Sequence, residues 1–345
     1  MDVFRAIRGT KVNFNFVTMV PGTQHFTQEI LDLGGTIFEL ANPRDGLLKH
    51  LKDLWAVLKQ RQPDVVHAHT SYHSGLVLAL AKLAGVRTRI AHARVRGVEA
   101  VNANALSPNE WIGKLLIRFA ATDLIATSPE ASQYLFGEQQ STIIPNAFPL
   151  DAYLQQGPKD AARPRLNLPS QALIVGQVGR LDEVKNHSRS LRIFHRLRQR
   201  YPGEAKLVFV GTGEQEAALR KEARELGVDP HVIFAGLQVN VAMWLEAFDV
   251  LLMPSIYEGL GNAVVEAQAS GLGVVASSSV PSSADLGLGL VDFVPLGHSD
   301  QVWVDAILRA TSLDRPSPEG IKRRFAEQSF TLEAIVTQYL SIYSR

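Results

Sequence analysis

The 345-residue sequence contains no cysteine. Disulfides and thiolate metal sites are therefore excluded, and the chain is compatible with a reducing cytoplasm. It has no run of about 18 apolar residues, so no membrane-spanning helix is predicted. The opening MDVFRAIRGTK lacks the apolar core of a secretory signal. Neither charge sign is in excess: the formal net charge of +1 makes no case for a nucleic-acid partner. No repeat of solenoid period and no low-complexity tract interrupts the chain. What is present, 46% hydrophobic and 20% charged residues, is the composition of a globular protein. The length predicts two domains of roughly 150 residues each.

Two series of alternating strands and helices support that division. In the first, KVNFNFV (Lys11–Val17) alternates like a strand, and a helix with Glu29 and Leu33 stops at Gly34-Gly35 before the strand TIFEL. A helix over Gly46–Gln62 ends at Pro63, and DVVHA reads as a short buried strand. The pattern continues to STII, which ends at Pro145-Asn146. Ser128 before Pro129 forms a helix start. A second series begins at Ala172 with ALIVGQVG and continues through KLVFVG, HVIFAG, DVLLMP and GVVAS. Strands alternating with helices predict α/β architecture with doubly wound parallel sheets. The expected division is an N-terminal domain over 1–147, a polar, proline-bearing link over 148–168, a second domain over 169–328, and a C-terminal helix within 329–345.

The stretch Ser255–Val275, SIYEGLGNAVVEAQASGLGVV, follows a buried strand that ends at Pro254. A loop carries Glu258 and Gly259, and Asn262 stands where a helix N-cap belongs. Glu258 falls at the carboxyl end of a strand, where open α/β sheets place ligands, and Glu266 falls about one turn into the helix. The first helical N–H groups, at Asn262 and Ala263, suit a phosphate. Carboxylates beside a phosphate site suit a ligand with an anionic middle and hydroxyl-rich ends, such as a sugar nucleotide. By spacing alone, both glutamates read equally well as solvated surface acids. In GRLDEVKN, Arg180 and Lys185 put two cations at the end of another strand, where they would stabilise a leaving diphosphate or simply face water. The glycines of VGTGE, Gly211 and Gly213, serve either a ligand loop or tight turn geometry.

The pattern E-G-L-(x)5-E-A-x-A-x-G-x-x-V-V, carried by Glu258, Gly259, Leu260, Glu266, Ala267, Ala269, Gly271, Val274 and Val275, resembles the signature of the retaining glycosyltransferases of family 4. GRLDEVKN is similar to that family's G-R-L-x(3)-K-N. HAHTSYHSG, IAHAR, ATSPEASQYLFG and IIPNA look most similar to its exopolysaccharide- and capsule-building branch. The resemblance covers about Lys11 to Tyr343 and implies the GT-B fold: two Rossmann-like domains facing a crevice, with a C-terminal helix crossing back to the N-terminal domain. It also implies transfer of a hexose from a nucleotide-diphosphate sugar, UDP-linked by expectation, to a glycan or polyprenyl-lipid-linked acceptor. Arg180 and Lys185 then hold the diphosphate, Glu266 the ribose, and Glu258 the sugar. Gly211, Gly213 and Gly236 line the nucleotide site, and His92 reaches the sugar near the reacting carbon. No cofactor and no catalytic metal are expected.

Family members usually begin with one more strand, a glycine-pair loop and a helix. This chain starts as though inside that helix, so either the start of the gene is wrong or the chain lacks the first strand, which would leave an unfilled place in the first sheet. Two other readings of the same motifs are an epimerase or hydrolase on this fold, and a non-catalytic sugar-nucleotide-binding subunit. His67, His69 and His73 form an H-x-H-x(3)-H run that suits either metal ligands or a strand-end loop. The helix around Ser107–Ala120 carries Trp111, Lys114 and Arg118, near Arg87, Arg89, Arg94 and Arg96. Residues 1–147 hold a charge of +3 against −2 for the remainder. A core-facing stripe with a solvated basic face explains this helix, as does peripheral contact with the inner face of a membrane.

Overall fold

The computed structural model describes residues 1–7, 10–19, 26–43, 45–94, 107–147, 149–154 and 159–345. Two compact units result: residues 1–148 with Phe330–Arg345, and Pro149–Ser329.

In the first unit, β1 (Asn15–Thr18) pairs in parallel with β2 (Thr36–Glu39) as a separate two-stranded sheet. A second parallel sheet runs in the order β3 (Val65–Ala68), β4 (Thr88–Ala93), β5 (Asp123–Ala126) and β6 (Thr142–Ile143). No strand among the described residues joins β1 to β3. The Leu332–Tyr343 helix packs here. Its Ile335, Tyr339 and Ile342 form one core with Ile90 of β4, Ile125 of β5 and Ile144. Thr331 caps the helix by accepting from the Ala334 N–H at 3.3 Å.

The second unit holds six parallel strands in the order β12 (Val291–Val294), β11 (Val274–Ser277), β10 (Val250–Met253), β7 (Leu173–Val178), β8 (Ala205–Val210) and β9 (Val232–Gly236). The chain winds outward from β7 through β8 and β9, then returns to β10 on the other side. The carboxyl ends of β7 and β10 therefore flank the point where strand order reverses, the position where open α/β sheets bind ligands. Helices cover buried strands whose runs are almost wholly apolar, as doubly covered parallel strands require. Trp303, Phe194 and Phe209 are fully buried in this core.

The expected polar link carries two short helices, Leu150–Leu154 and Lys159–Arg165, that belong to the second unit. Arg163 is their pin. It is almost fully buried, donates to the carbonyls of Ala247, Ser170 and Ala172, and pairs with Asp249 at 2.7 Å. An arginine with that many buried acceptors is structural, and its sequence surroundings gave no periodicity that would betray it.

Candidate active site

Two loops meet at the switch point of the second unit. The loop after β7 carries Gly179 to Asn186, and the loop after β10 carries Pro254 to Gly261. Backbone joins them, because the Ile256 N–H donates to the Val184 carbonyl at 2.8 Å. A side chain joins them again, because Asn186 Nδ2 donates to the Pro254 carbonyl at 3.0 Å. Asn186 holds a left-handed backbone at φ 54°, a conformation asparagine tolerates better than most residues.

Within this frame Lys185 Nζ donates to Glu258 Oε1 at 2.6 Å. Both side chains are largely buried, at 20% and 11% exposure. Glu266 is the fifth residue of the Asn262–Ala269 helix. Burial pushes its carboxyl up to about pKa 7, and the charge of Lys185 opposes that rise. One ammonium thus serves two carboxyl groups, one ion-paired and one poised to exchange a proton near neutrality. Arg180 is exposed, on the same loop as Lys185.

The helix start differs in one detail from expectation. Gly261, at φ 88°, occupies the N-cap, and Asn262 is the first helical residue and exposed. A side chain at 261 would meet Val280 Cγ1 at 2.9 Å in a left-handed backbone, so glycine takes the cap. Ala263 and Gly259 are buried.

Gly211 and Gly213 lie after β8, against the Lys185 loop. A Cβ on Gly211 would sit 2.0 Å from the Gly179 carbonyl oxygen, and one on Gly213 would sit 2.3 Å from the Leu181 oxygen. Their backbones interlock with that loop: Leu181 N donates to Thr212 O, and Gln215 N to Leu181 O, each at 3.0 Å. Close backbone approach explains both glycines. Gly236 ends β9, and its carbonyl accepts from Gly211 N at 2.9 Å.

Sequence reading passed over Gln177 and Ser190. Gln177, 1% exposed, donates through Nε2 to the Lys185 carbonyl at 2.7 Å, while Ser190 Oγ donates to its Oε1 at 2.7 Å. This buried pair fixes the turn that presents Lys185. The signal was available: a glutamine inside the apolar strand ALIVGQVG must find partners. His187, the first residue of the following helix, was also missed. It is buried against Phe209, and burial lowers its imidazole to about pKa 3.

In the first unit, His67 and His69 lie at the carboxyl end of β3, and His92 lies on β4. His92 is 1% exposed, and its Nε2 has no partner among the described residues. Burial holds both His67 and His92 well below the ordinary imidazole pKa. Ligand nitrogens of His67, His69 and His92 lie within 4.8 Å of one another. His73 stands apart from them, stacked on Tyr72. Arg94 Nη2 donates to Asn146 Oδ1 at 2.6 Å. Arg96 lies outside the described residues.

The Pro108–Ala120 helix does not bury the expected stripe completely. Glu110, Gly113, Ile117 and Ala120 face inward, whereas Trp111, Ile112, Leu115 and Phe119 are exposed. Lys82 Nζ caps this helix at the Phe119 carbonyl, and Leu83 beside it is exposed. No helix among the described residues is long and apolar enough to cross a membrane.

A family model described as glycosyl transferases group 1 matches residues 158–287, and one described as glycosyl transferase 4-like domain matches residues 2–147. The Bacillus subtilis (strain 168) protein named "Putative glycosyltransferase EpsF" is 31% identical over all of this chain and 91% of its own length. The Vi polysaccharide biosynthesis protein VipC/TviE of Salmonella typhi is 30% identical over 48% of this chain and 29% of its own. The solved structure of Anabaena HepE in complex with UDP-glucose has the same fold, with a TM-score of 0.79 at 18% identity, over 99% of this chain and 94% of that one. The chain belongs to the group 1 glycosyltransferase family, with the GT-B fold, and is a glycosyltransferase.

Proposed function

We propose that this enzyme transfers a hexose with retention from a UDP-sugar to a glycan or lipid-linked acceptor, in the synthesis of an exopolysaccharide, capsule or lipopolysaccharide. The observation that carries the reading is Lys185, paired with Glu258 at 2.6 Å and electrostatically coupled to Glu266, at the switch point of the second sheet. Lys185 and Arg180 meet the diphosphate, with the N–H groups of Asn262 and Ala263 at the helix start. Glu266 accepts from the ribose hydroxyls. Glu258 holds sugar hydroxyls and supports positive charge near the anomeric carbon. His92 contacts a sugar hydroxyl. The acceptor oxygen bonds to the anomeric carbon on the face that the diphosphate leaves, and the leaving phosphate oxygen takes the acceptor proton. No metal and no cofactor takes part in this scheme.

UDP as the nucleotide is supported by HepE, whose structure holds UDP-glucose, and a polysaccharide product by the name of VipC/TviE. The exposed apolar face of the Pro108–Ala120 helix, with Arg118 and Lys82 at its margins, supports contact with the inner face of the cytoplasmic membrane. The test is transfer from a panel of UDP-sugars to lipid-linked and glycan acceptors, with product configuration read by NMR. A retained anomeric configuration is expected. Release or interconversion of the sugar without an acceptor would contradict the reading.

A further inference from the structure

His67 and His69 alternate along β3, and His92 and Arg94 alternate along β4 and just past it. Residues two apart on a strand share a face. The parallel register sets His67 opposite Ile90, so all four side chains leave one face near the strands' carboxyl ends. The Leu332–Tyr343 helix lies on that face. Tyr339 and Tyr343 rings approach the His67 ring at 5.7 and 5.9 Å, and Tyr343 also packs on Phe14.

Three groups form a hydrogen-bonded row. Tyr343 Oη lies 2.8 Å from His67 Nδ1, and His67 Nε2 lies 3.0 Å from His92 Nδ1. Both nitrogens of His67 are thereby engaged. His92 Nε2 ends the row, buried and without a partner among the described residues. A buried ring nitrogen left without a partner calls for an explanation.

We infer that Tyr343 and His67 are positioning residues that fix the tautomer of His92, so that its Nε2 presents an N–H to a substrate oxygen. The inference rests on the reading of His92 as a substrate contact. Its direction follows from donor strength. A phenol donates well, while its oxygen lone pairs are partly withdrawn into the ring. Tyr343 O–H therefore donates to His67 Nδ1. A neutral imidazole has one donor and one acceptor nitrogen, so His67 Nε2–H donates to His92 Nδ1, and the His92 proton sits on Nε2. Burial keeps Tyr343 protonated and the two imidazoles neutral.

The same imidazoles with His69 fall within reach of one metal ion. Two features favour the hydrogen-bonded row. His67 already uses both nitrogens, and the positive charge of Arg94 acts on all three rings, which opposes a cation. An uncharged N–H beside an arginine instead suits a hydroxyl or phosphate oxygen.

The test uses the full chain labelled with ¹⁵N-histidine. Long-range proton–nitrogen NMR reads which ring nitrogen carries the proton, and His92→Gln identifies the His92 signals. In the wild type, His92 is expected as a single tautomer protonated at Nε2. Tyr343→Phe keeps the ring packing and is expected to mix the tautomers. It should lower kcat about tenfold, the loss of one hydrogen bond, with donor KM and UDP binding unchanged. His67→Gln, whose amide can still donate to His92 Nδ1, should retain more activity than His67→Leu. A wild-type proton on Nδ1, or a Tyr343→Phe variant with the wild-type tautomer and kcat, would overturn the inference. So would stoichiometric Zn²⁺ binding that shifts all three imidazoles. The tautomer result stands apart from turnover, so an inactive enzyme would count against the proposed function without deciding this point.

Discussion

Lys185 and Glu258 lie 73 positions apart in sequence and hold one ion pair at 2.6 Å across the reversal point of the second sheet. The pair is mostly removed from water, so each partner depends on the other. Lys185→Met leaves the Glu258 carboxylate partly buried and unpaired, which should cost about 1–3 kcal/mol of stability. The variant should also lose UDP binding. Glu258→Gln keeps a hydrogen-bond acceptor for Lys185, so UDP binding should persist while turnover falls at least about a hundredfold. Calorimetric UDP titrations beside initial rates check both halves. Equal losses of binding in the two variants would contradict the division of roles.

Glu266 predicts a pH dependence. Burial raises its carboxyl from 4.5 to about 7, so the folded state favours the protonated form. The associated stabilisation is complete below about pH 4.5 and is lost as pH rises through 7. A shift of this size corresponds to about 3 kcal/mol as an upper bound. Melting curves of wild type and Glu266→Gln across this range should diverge in that direction. Affinity for UDP should move the opposite way, rising through pH 7, because the ionised carboxylate is the better acceptor for ribose hydroxyls. A wild-type affinity flat across pH 7 would contradict the assignment of Glu266 to the ribose.

Gly211 tests whether its loop is held by packing. An added methyl would meet the Gly179 carbonyl at 2.0 Å, in a backbone at φ 142°. Gly211→Ala should therefore cost about 3 kcal/mol or more, seen as a lowered Tm without any ligand. An unchanged Tm with weakened UDP binding would instead make this glycine a ligand contact.

The strand, loop and helix around Glu258 and Glu266 were legible because period and punctuation are local properties. That the second sheet is parallel followed from alternating strands and helices, whereas its strand order and its sixth strand, β12, were not legible. Pairings across long separations were not legible. Nothing near His67 announces Tyr343, 276 positions away, and nothing in GRLDEVKN shows that Lys185 turns toward Glu258. The Pro108–Ala120 helix shows the opposite limit. Its apolar residues are too many for one buried face, and only the structure shows that Ile117 is inside and Phe119 outside. Gln177 was readable in principle, since a buried strand seldom carries an amide without a purpose.

That exposed face makes its own prediction. Trp111 is 57% and Phe119 66% exposed, on the more basic half of the chain. Co-sedimentation with vesicles containing anionic lipid should exceed that with neutral vesicles, and Trp111→Ser with Phe119→Ser should reduce it several-fold with Tm unchanged. Equal sedimentation of variant and wild type would remove the membrane from the account.

The most direct measurement is thermal unfolding with UDP, GDP and ADP, for the wild type and Glu266→Ala. At a hundredfold excess over Kd, a ligand adds about 2.7 kcal/mol, enough to move Tm visibly. A rise with UDP alone, absent in Glu266→Ala, is the predicted result and makes the second unit a UDP-sugar site. A shift favouring GDP or ADP, or none with any nucleotide, would contradict the central claim.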